Sequence, residues 1–191
     1  SYGQRSVTQP LLPWVNVKAT QGSFAALNYW YLDVERLYII DFDGDGKSDI
    51  FMINGPQGVV FEFDSPYHLQ EVFWKDDASI NLESRLFDQQ FLLFTGDFNG
   101  DGKTDFLKKF SNANPNNWAI IHSTGTSFVN QPIPMTNAPA IQQNGFGHYT
   151  GHLVTVGDYN GDGKSDMLHI GGAAGITFVA VHYSNGHTLL P

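Results

Sequence analysis

The chain alternates short apolar runs with turns rich in Gly and Asp. Leu37-Tyr38-Ile39-Ile40, Phe91-Leu92-Leu93-Phe94 and Leu153-Val154-Thr155-Val156 each lead into such a turn. Ile50-Phe51-Met52-Ile53, Phe106-Leu107 and Met167-Leu168 lead out of it. Runs this short, rich in branched and aromatic side chains, predict strands rather than helices. Each turn therefore joins the two strands of a hairpin. A second hairpin pattern recurs more loosely. Trp118 is followed ten residues later by Phe128, across a Gly-containing turn, as Trp14 is by Phe24. Residues 178–186 read as a third copy with a residue inserted, and residues 59–63 as a degenerate fourth. On this alignment His122 and His182 fall at equivalent positions, which predicts a structural role for both.

The acidic turns are near-identical nonapeptides. Residues 41–49, 97–105 and 158–166 read DFDGDGKSD, DFNGDGKTD and DYNGDGKSD, spaced by 56 and 61 residues. One acidic hairpin plus one Trp hairpin makes a unit of four strands in about 55–60 residues, the size of a propeller blade. The prediction is an all-β chain of four-stranded antiparallel blades, about three and a half of them. A half blade occupies residues 1–32, with blades at about 33–90, 91–150 and 151–191, all in one region spanning 1–191. Longer connections run through about 75–90 and 129–151. The second carries Pro132, Pro134, Pro139, Gly145 and Gly147 and reads as irregular. Connections this long are often functional.

The residue types in each nonapeptide point to a hard cation. Position 1 is Asp41, Asp97 or Asp158; position 3 is Asp43, Asn99 or Asn160; position 5 is Asp45, Asp101 or Asp162; position 9 is Asp49, Asp105 or Asp166. Side chains at 1, 3 and 5 converge if the backbone curls, and Gly at 4 and 6 permits positive φ. Lys47, Lys103 and Lys164 at position 7 are expected to offer a backbone carbonyl while the ammonium points to water. An all-oxygen set of six or seven ligands suits Ca2+, three sites in all, better than Mg2+ or a softer metal. The helical EF-hand loop begins similarly but needs Glu at position 12. That position holds Met52, Lys108 and His169, so it is rejected. The plainer alternative is that Asp-Gly turns merely make tight hairpins. Unneutralised, the carboxylates of one loop repel each other, which favours a bound ion. Positions 2 (Phe42, Phe98, Tyr159) and 10 (Ile50, Phe106, Met167) read as core anchors.

The motif D-[FY]-[DN]-G-D-G-K-[ST]-D between two strands resembles the FG-GAP/VCBS repeat of integrin-α-type β-propellers. The combination of G-D-F-N-G-D-G-K-T-D with the W-A-I-I-H-S-T-G-T-S-F hairpin that follows it is most similar to the bacterial toxin-complex and YD-repeat-associated type. The resemblance implies calcium held by the numbered loop positions between the first two strands of a blade. It also implies a setting such as integrin α-chains, propeller lectins or shells of toxin complexes. One departure stands out. Three and a half units do not close a wheel that needs at least four blades. The sequence therefore reads as an arc of a longer chain, or as one of several chains that self-associate into a ring.

Composition narrows the partners. Acidic residues outnumber basic ones 19 to 10, for a net charge of −9. That disfavours nucleic acid and anionic membrane. Ten of the acidic residues lie in the three loops. No apolar run approaches the roughly 18–20 residues of a membrane helix. Cys is absent, so neither disulfides nor thiolate zinc sites are available, and bound metal is the expected staple. The chain begins at Ser1 and reads as a mature product or an excised segment. There is no H-E-x-x-H, G-x-S-x-G or phosphate loop, and the acidic pairs are accounted for by calcium, so no catalysis is expected. His148 and His152 flank the irregular connection and are weak candidates for ligand contact. Trp30, Trp74, Phe146 and Tyr149 are candidates for stacking on a sugar, the alternative being that they pack between blades; Trp14 and Trp118 read as core. The expectation is a secreted or cell-surface, calcium-binding propeller module for adhesion or for carbohydrate or protein recognition. The alternative is a structural propeller segment of a larger secreted toxin or enzyme with no small ligand of its own.

Overall fold

The computed structural model of the chain describes residues 37–65, 68–81, 84–88, 91–109, 117–134, 152–173 and 176–190. These form twelve strands and no helix. The first four are β1 (Leu37–Ile40), β2 (Asp49–Asn54), β3 (Gln57–Ser65) and β4 (His68–Asp76). The second four are β5 (Leu92–Gly96), β6 (Asp105–Lys109), β7 (Asn117–Ser123) and β8 (Phe128–Pro134). The last are β9 (His152–Gly157), β10 (Asp166–Ala173), β11 (Ile176–Ser184) and β12 (Leu189–Leu190). Each set of four is one antiparallel sheet with strands in chain order. Three blades thus stand side by side as an open arc, not a closed wheel. The half blade expected in residues 1–32 lies outside the described residues.

The acidic nonapeptides connect β1 to β2, β5 to β6 and β9 to β10, the first two strands of each blade. The irregular connection expected at about 129–151 is corrected at its start, where β8 runs to Pro134; residues 135–151 lie outside the described residues. Pro132 sits opposite Ala119 on this edge strand, where a missing N–H is tolerated.

The blades pack through two apolar layers. Between the first and second blades lie Ile40, Phe42, Phe51, Val60, Phe73, Leu86, Phe87, Phe106, Ile121 and Phe128. This layer is an aromatic cluster, with Phe51 and Phe87 rings 4.7 Å apart and Phe42 and Phe128 5.0 Å apart. Offset and edge-on rings of this kind add to the area they bury. Between the second and third blades lie Phe98, Leu107, Trp118, Ile120, Ile133, Val154, Met167 and Leu189. The core roles expected of Phe42, Phe98, Phe106, Met167 and Trp118 are therefore met: each is at most 2% exposed. Two of the expected anchors depart from this: Ile50 is half-buried, and Tyr159 is 42% exposed on the far side of the third blade.

The strand register corrects the alignment of His122 with His182. The tenth loop residues Phe106 and Met167 pair with Ile121 and His182. His182 is therefore the counterpart of Ile121, and His122 that of Tyr183. The single inserted residue shifts the match by one, and in a strand a one-residue shift moves a side chain to the opposite face. His182 is buried and His122 only partly so.

Candidate metal centre

Each acidic loop curls about its first Asp. Asp41 Oδ1 accepts from Gly44 N at 2.8 Å and Oδ2 from Gly46 N at 2.9 Å. Asp97 does the same with Gly100 and Gly102 at 2.7 and 2.8 Å, and Asp158 with Gly161 and Gly163 at 2.6 and 2.9 Å. The Gly residues at positions 4 and 6 have φ between 77° and 85° in all three loops, the left-handed conformation that a Cβ disfavours. Position 3 closes the next turn: Asp43, Asn99 and Asn160 each accept the backbone N–H of position 5 through Oδ1 at 2.9 Å. Asn serves here as well as Asp because one carbonyl oxygen suffices.

Position 9 is set apart by burial. Asp105 and Asp166 are fully buried and Asp49 is 3% exposed. Asp105 Oδ2 accepts from Phe98 N at 3.1 Å, and His122 Nδ1 lies 3.0 Å from the same oxygen. Its Oδ1 accepts from Ser123 N at 2.8 Å. Asp166 repeats this, taking Tyr159 N at 3.0 Å and Ser184 N at 2.8 Å. Asp49 Oδ2 takes Phe42 N at 2.7 Å. Position 9 therefore ties the start of the loop to the second strand, and in the second and third blades to the third strand as well.

In the first loop, ligand oxygens of Asp41, Asp43 and Asp49 lie within 4.8 Å of one another. Burial raises the pKa of Asp49, and the charges of Asp43, Asp41 and Asp45 push it further the same way, against the Phe42 hydrogen bond. Carboxylates held this close are relieved by a divalent cation, and an all-oxygen set fits a hard one. Asp45 lies outside that trio. Its carboxylate pairs with Lys47 Nζ, and this hydrogen bond holds Asp45 below the usual carboxylate range. Asp101 and Lys103 pair at 3.0 Å and Asp162 and Lys164 at 3.4 Å. The expectation that the position-7 ammonium points to water is therefore corrected in all three loops. A carboxylate two residues back on the same side is the nearest opposite charge. These pairs are exposed enough that each contributes little to stability.

Position 8 carries contacts that the ligand reading overlooks. Thr104 N donates to Asp41 O at 2.7 Å, and Asp41 N donates back to Thr104 Oγ1 at 2.9 Å. Ser165 and Asp97 exchange the same pair at 2.6 and 3.0 Å. Ser123 Oγ and Ser184 Oγ donate to Phe42 O and Phe98 O, both at 2.6 Å. Each of the first two loops is thus fastened to the loop and third strand of the following blade. The invariance of Ser or Thr at position 8, and Ser followed by x-Gly after the third strand, is the signal that was available in the sequence.

Among the sugar-stacking candidates, Trp74 lies on edge strand β4 and is 45% exposed. Trp30, Phe146 and Tyr149 lie outside the described residues, as do His148 and Trp14. His152 begins β9.

The family model for the FG-GAP-like repeat matches residues 41–107 and again 97–169, each match running from one acidic loop into the next blade. The chain belongs to the FG-GAP-like repeat family. The two matches overlap across the second loop, so all three loops of this FG-GAP chain fall within them. No curated protein matches the chain. Among solved structures it is similar to a lectin of Agrocybe aegerita, described as specifically recognising non-reducing terminal N-acetylglucosamine. The TM-score is 0.57 at 19% identity, over 84% of this chain and 38% of the lectin. The likeness is one of fold, that of a β-propeller, and the FG-GAP chain spans well under half the lectin's length.

Proposed function

We propose that this chain is a calcium-stiffened propeller module that works outside the cell by recognition rather than catalysis. The reading is carried by the first loop, where three carboxylates converge within 4.8 Å on a turn shaped by two left-handed Gly residues. The other two loops repeat its backbone with Asn for Asp at position 3. Asp41, Asp43 and Asp49, with Asp45 once released from Lys47, are the side chains that would hold the first ion. Asp97, Asn99, Asp101 and Asp105 would hold the second, and Asp158, Asn160, Asp162 and Asp166 the third. The carbonyls of Lys47, Lys103 and Lys164 complete each set. Bound calcium neutralises the repelling carboxylates and locks the β1–β2, β5–β6 and β9–β10 turns. An extracellular setting, where calcium is millimolar, matches the modest affinity expected of such exposed loops.

Recognition of a carbohydrate or of a protein surface is supported by the propeller fold shared with a lectin and by an exposed aromatic, Trp74. The open face of the third blade favours a second reading, a structural segment within a larger toxin or enzyme. A glycan array probed with the calcium-loaded chain separates the two. Binding lost on Trp74→Ala supports a sugar site on the first blade; an array without signal leaves the structural role in its place.

A further inference from the structure

Asn54, Asn99, Asn144, Asn160 and Asn185 each precede a Gly. Gly after Asn leaves the next backbone nitrogen open to the side-chain amide, because no Cβ stands in the way. Attack of that nitrogen on the amide carbon is the route by which Asn loses ammonia. Asn144 lies outside the described residues, and Asn54 ends β2 at the turn into β3. Asn99 and Asn160 hold position 3 of the second and third acidic loops, where the first loop has Asp43.

The curl of these two loops surrounds the reacting atoms with the groups such an attack needs. Gly100 N, the attacking atom, donates to Asp97 Oδ1 at 2.7 Å, so a carboxylate is in place to take its proton. Asn99 Oδ1, where negative charge develops, accepts from Asp101 N at 2.9 Å. The third loop repeats both contacts, Gly161 N to Asp158 Oδ1 at 2.6 Å and Asp162 N to Asn160 Oδ1 at 2.9 Å. Asn185 supplies the contrast within the same chain. Its Oδ1 accepts from His187 N and Thr188 N, both at 2.9 Å. Gly186 N, however, donates to a hydroxyl, Ser184 Oγ, at 3.2 Å, and that hydroxyl donates in turn to Phe98 O at 2.6 Å. The amide carbonyl is polarised there as in the loops, but the proton acceptor is not a carboxylate.

We infer that Asn99 and Asn160 are sites of spontaneous covalent modification, each deamidated within its own metal-free loop. The nitrogen of Gly100 bonds to Asn99 Cγ while its proton passes to Asp97. The Cγ–Nδ2 bond then breaks, and Asp97 returns the proton as ammonia leaves. The product is a five-membered succinimide, which one water opens to Asp or to the isomer whose backbone runs through the β-carboxyl. Asn160 reacts in the same way with Gly161 and Asp158. Each site consumes one water and releases one ammonia. The Asp product gives the loop the same acidic residues at positions 1, 3, 5 and 9 as the first loop and adds one negative charge. The isomer lengthens the backbone by one carbon inside the curl. Asp97 and Asn99, once engaged with an ion through these same oxygens, no longer serve the reaction; this last point alone rests on the calcium reading.

The full chain is kept in neutral buffer at physiological temperature, in chelator and in parallel in millimolar calcium. Protease digests are followed by mass spectrometry for the one-unit mass gain, with isoaspartyl methyltransferase marking the isomer. In chelator, Asn99 and Asn160 are expected to convert roughly fivefold or more faster than Asn185. Asp97→Asn is expected to slow Asn99 by about the same factor and to leave Asn160 of the same molecule unchanged. Calcium is expected to slow both loop sites and to leave Asn185 as it was. Conversion of Asn99 and Asn160 no faster than that of Asn185 in chelator overturns the proposal. So does an Asp97→Asn chain in which Asn99 converts at the original rate or faster. Fast conversion in chelator that calcium fails to slow upholds the two sites and counts against the calcium reading instead.

Discussion

Asp105 shows how one side chain in this repeat serves two ends. Its carboxylate is fully buried, accepts from the backbone of Phe98 and Ser123, and lies beside His122 Nδ1. The same group belongs to the oxygen set proposed for the second ion. Replacing it strands two buried N–H donors, so Asp105→Ala is expected to destabilise the fold by about 2–3 kcal/mol even in chelator. Urea unfolding with EDTA present reads that loss separately from any metal effect. Ser184→Ala removes a buried 2.6 Å hydrogen bond to Phe98 O and is expected to cost about 1 kcal/mol by the same measurement. Gly102 sits at φ +85°, so Gly102→Val is expected to abolish ion binding at the second loop while leaving the other two. Calorimetric stoichiometry checks it; an unchanged site count counts against the curled geometry as the basis of binding. At this scale much was legible. Gly at positions 4 and 6 announces left-handed φ because few other residues adopt it. The salt link of Lys47 to Asp45 was not legible, since it depends on which way a flexible side chain swings.

Strand β6 carries an unusual burden. Lys108 and Lys109 are both buried within it. Lys108 Nζ donates to Arg85 O at 2.8 Å and Leu86 O at 3.3 Å, and sits over the Phe91 ring at 4.7 Å. It fastens the connection between the first and second blades to the second sheet. Arg85 pairs with Asp88 at 2.6 Å in that connection, and Asp77 Oδ2 accepts from Leu86 N at 2.8 Å. Burial lowers the Lys108 pKa to about 8, with Asp77 opposing the shift. The folded value lies below the unfolded one, so between about pH 8 and pH 10.5 the unfolded chain binds more protons. Stability from this group therefore rises with pH across that window. Relative to Lys108→Met, the wild-type chain is expected to gain on the order of 3 kcal/mol between those limits. Parallel unfolding curves for the two proteins from pH 7 to 10 would show the expectation to be wrong. Strand existence was readable from apolar runs, yet the twin buried lysines were not. Lys reads as solvent-facing unless its partners are known, and those of Lys108 lie 22 and 23 residues away. The slip between His122 and His182 has a related origin, because register is set by pairing across strands.

The whole molecule is a chain of fastened junctions. Loop backbone, eighth-position hydroxyl and third-strand serine tie each blade to the next, across 63 to 86 residues of sequence. Such contacts leave no periodic trace, so they surface only when the folded blades are laid side by side. The repeat itself and the family were visible in three nonapeptides, and the four-stranded unit once the Trp hairpin was added. Stiffening of the loops by the proposed ions would be transmitted to the junctions, because Asp41 and Asp97 hold the Gly backbone with their side chains and the following blade with their main chains. Metal removal is therefore expected to loosen neighbouring blades together, seen as faster hydrogen exchange at Thr104 and Ser165 in EDTA than in calcium. Equal exchange at both residues in the two buffers would uncouple the loops from the junctions. The most direct test of the calcium reading is isothermal titration of the chelator-treated chain with calcium. About three ions per chain are expected, with dissociation constants at or below the millimolar range and a matching rise in melting temperature. No measurable binding at millimolar calcium, with identical melting in calcium and in EDTA, would contradict it.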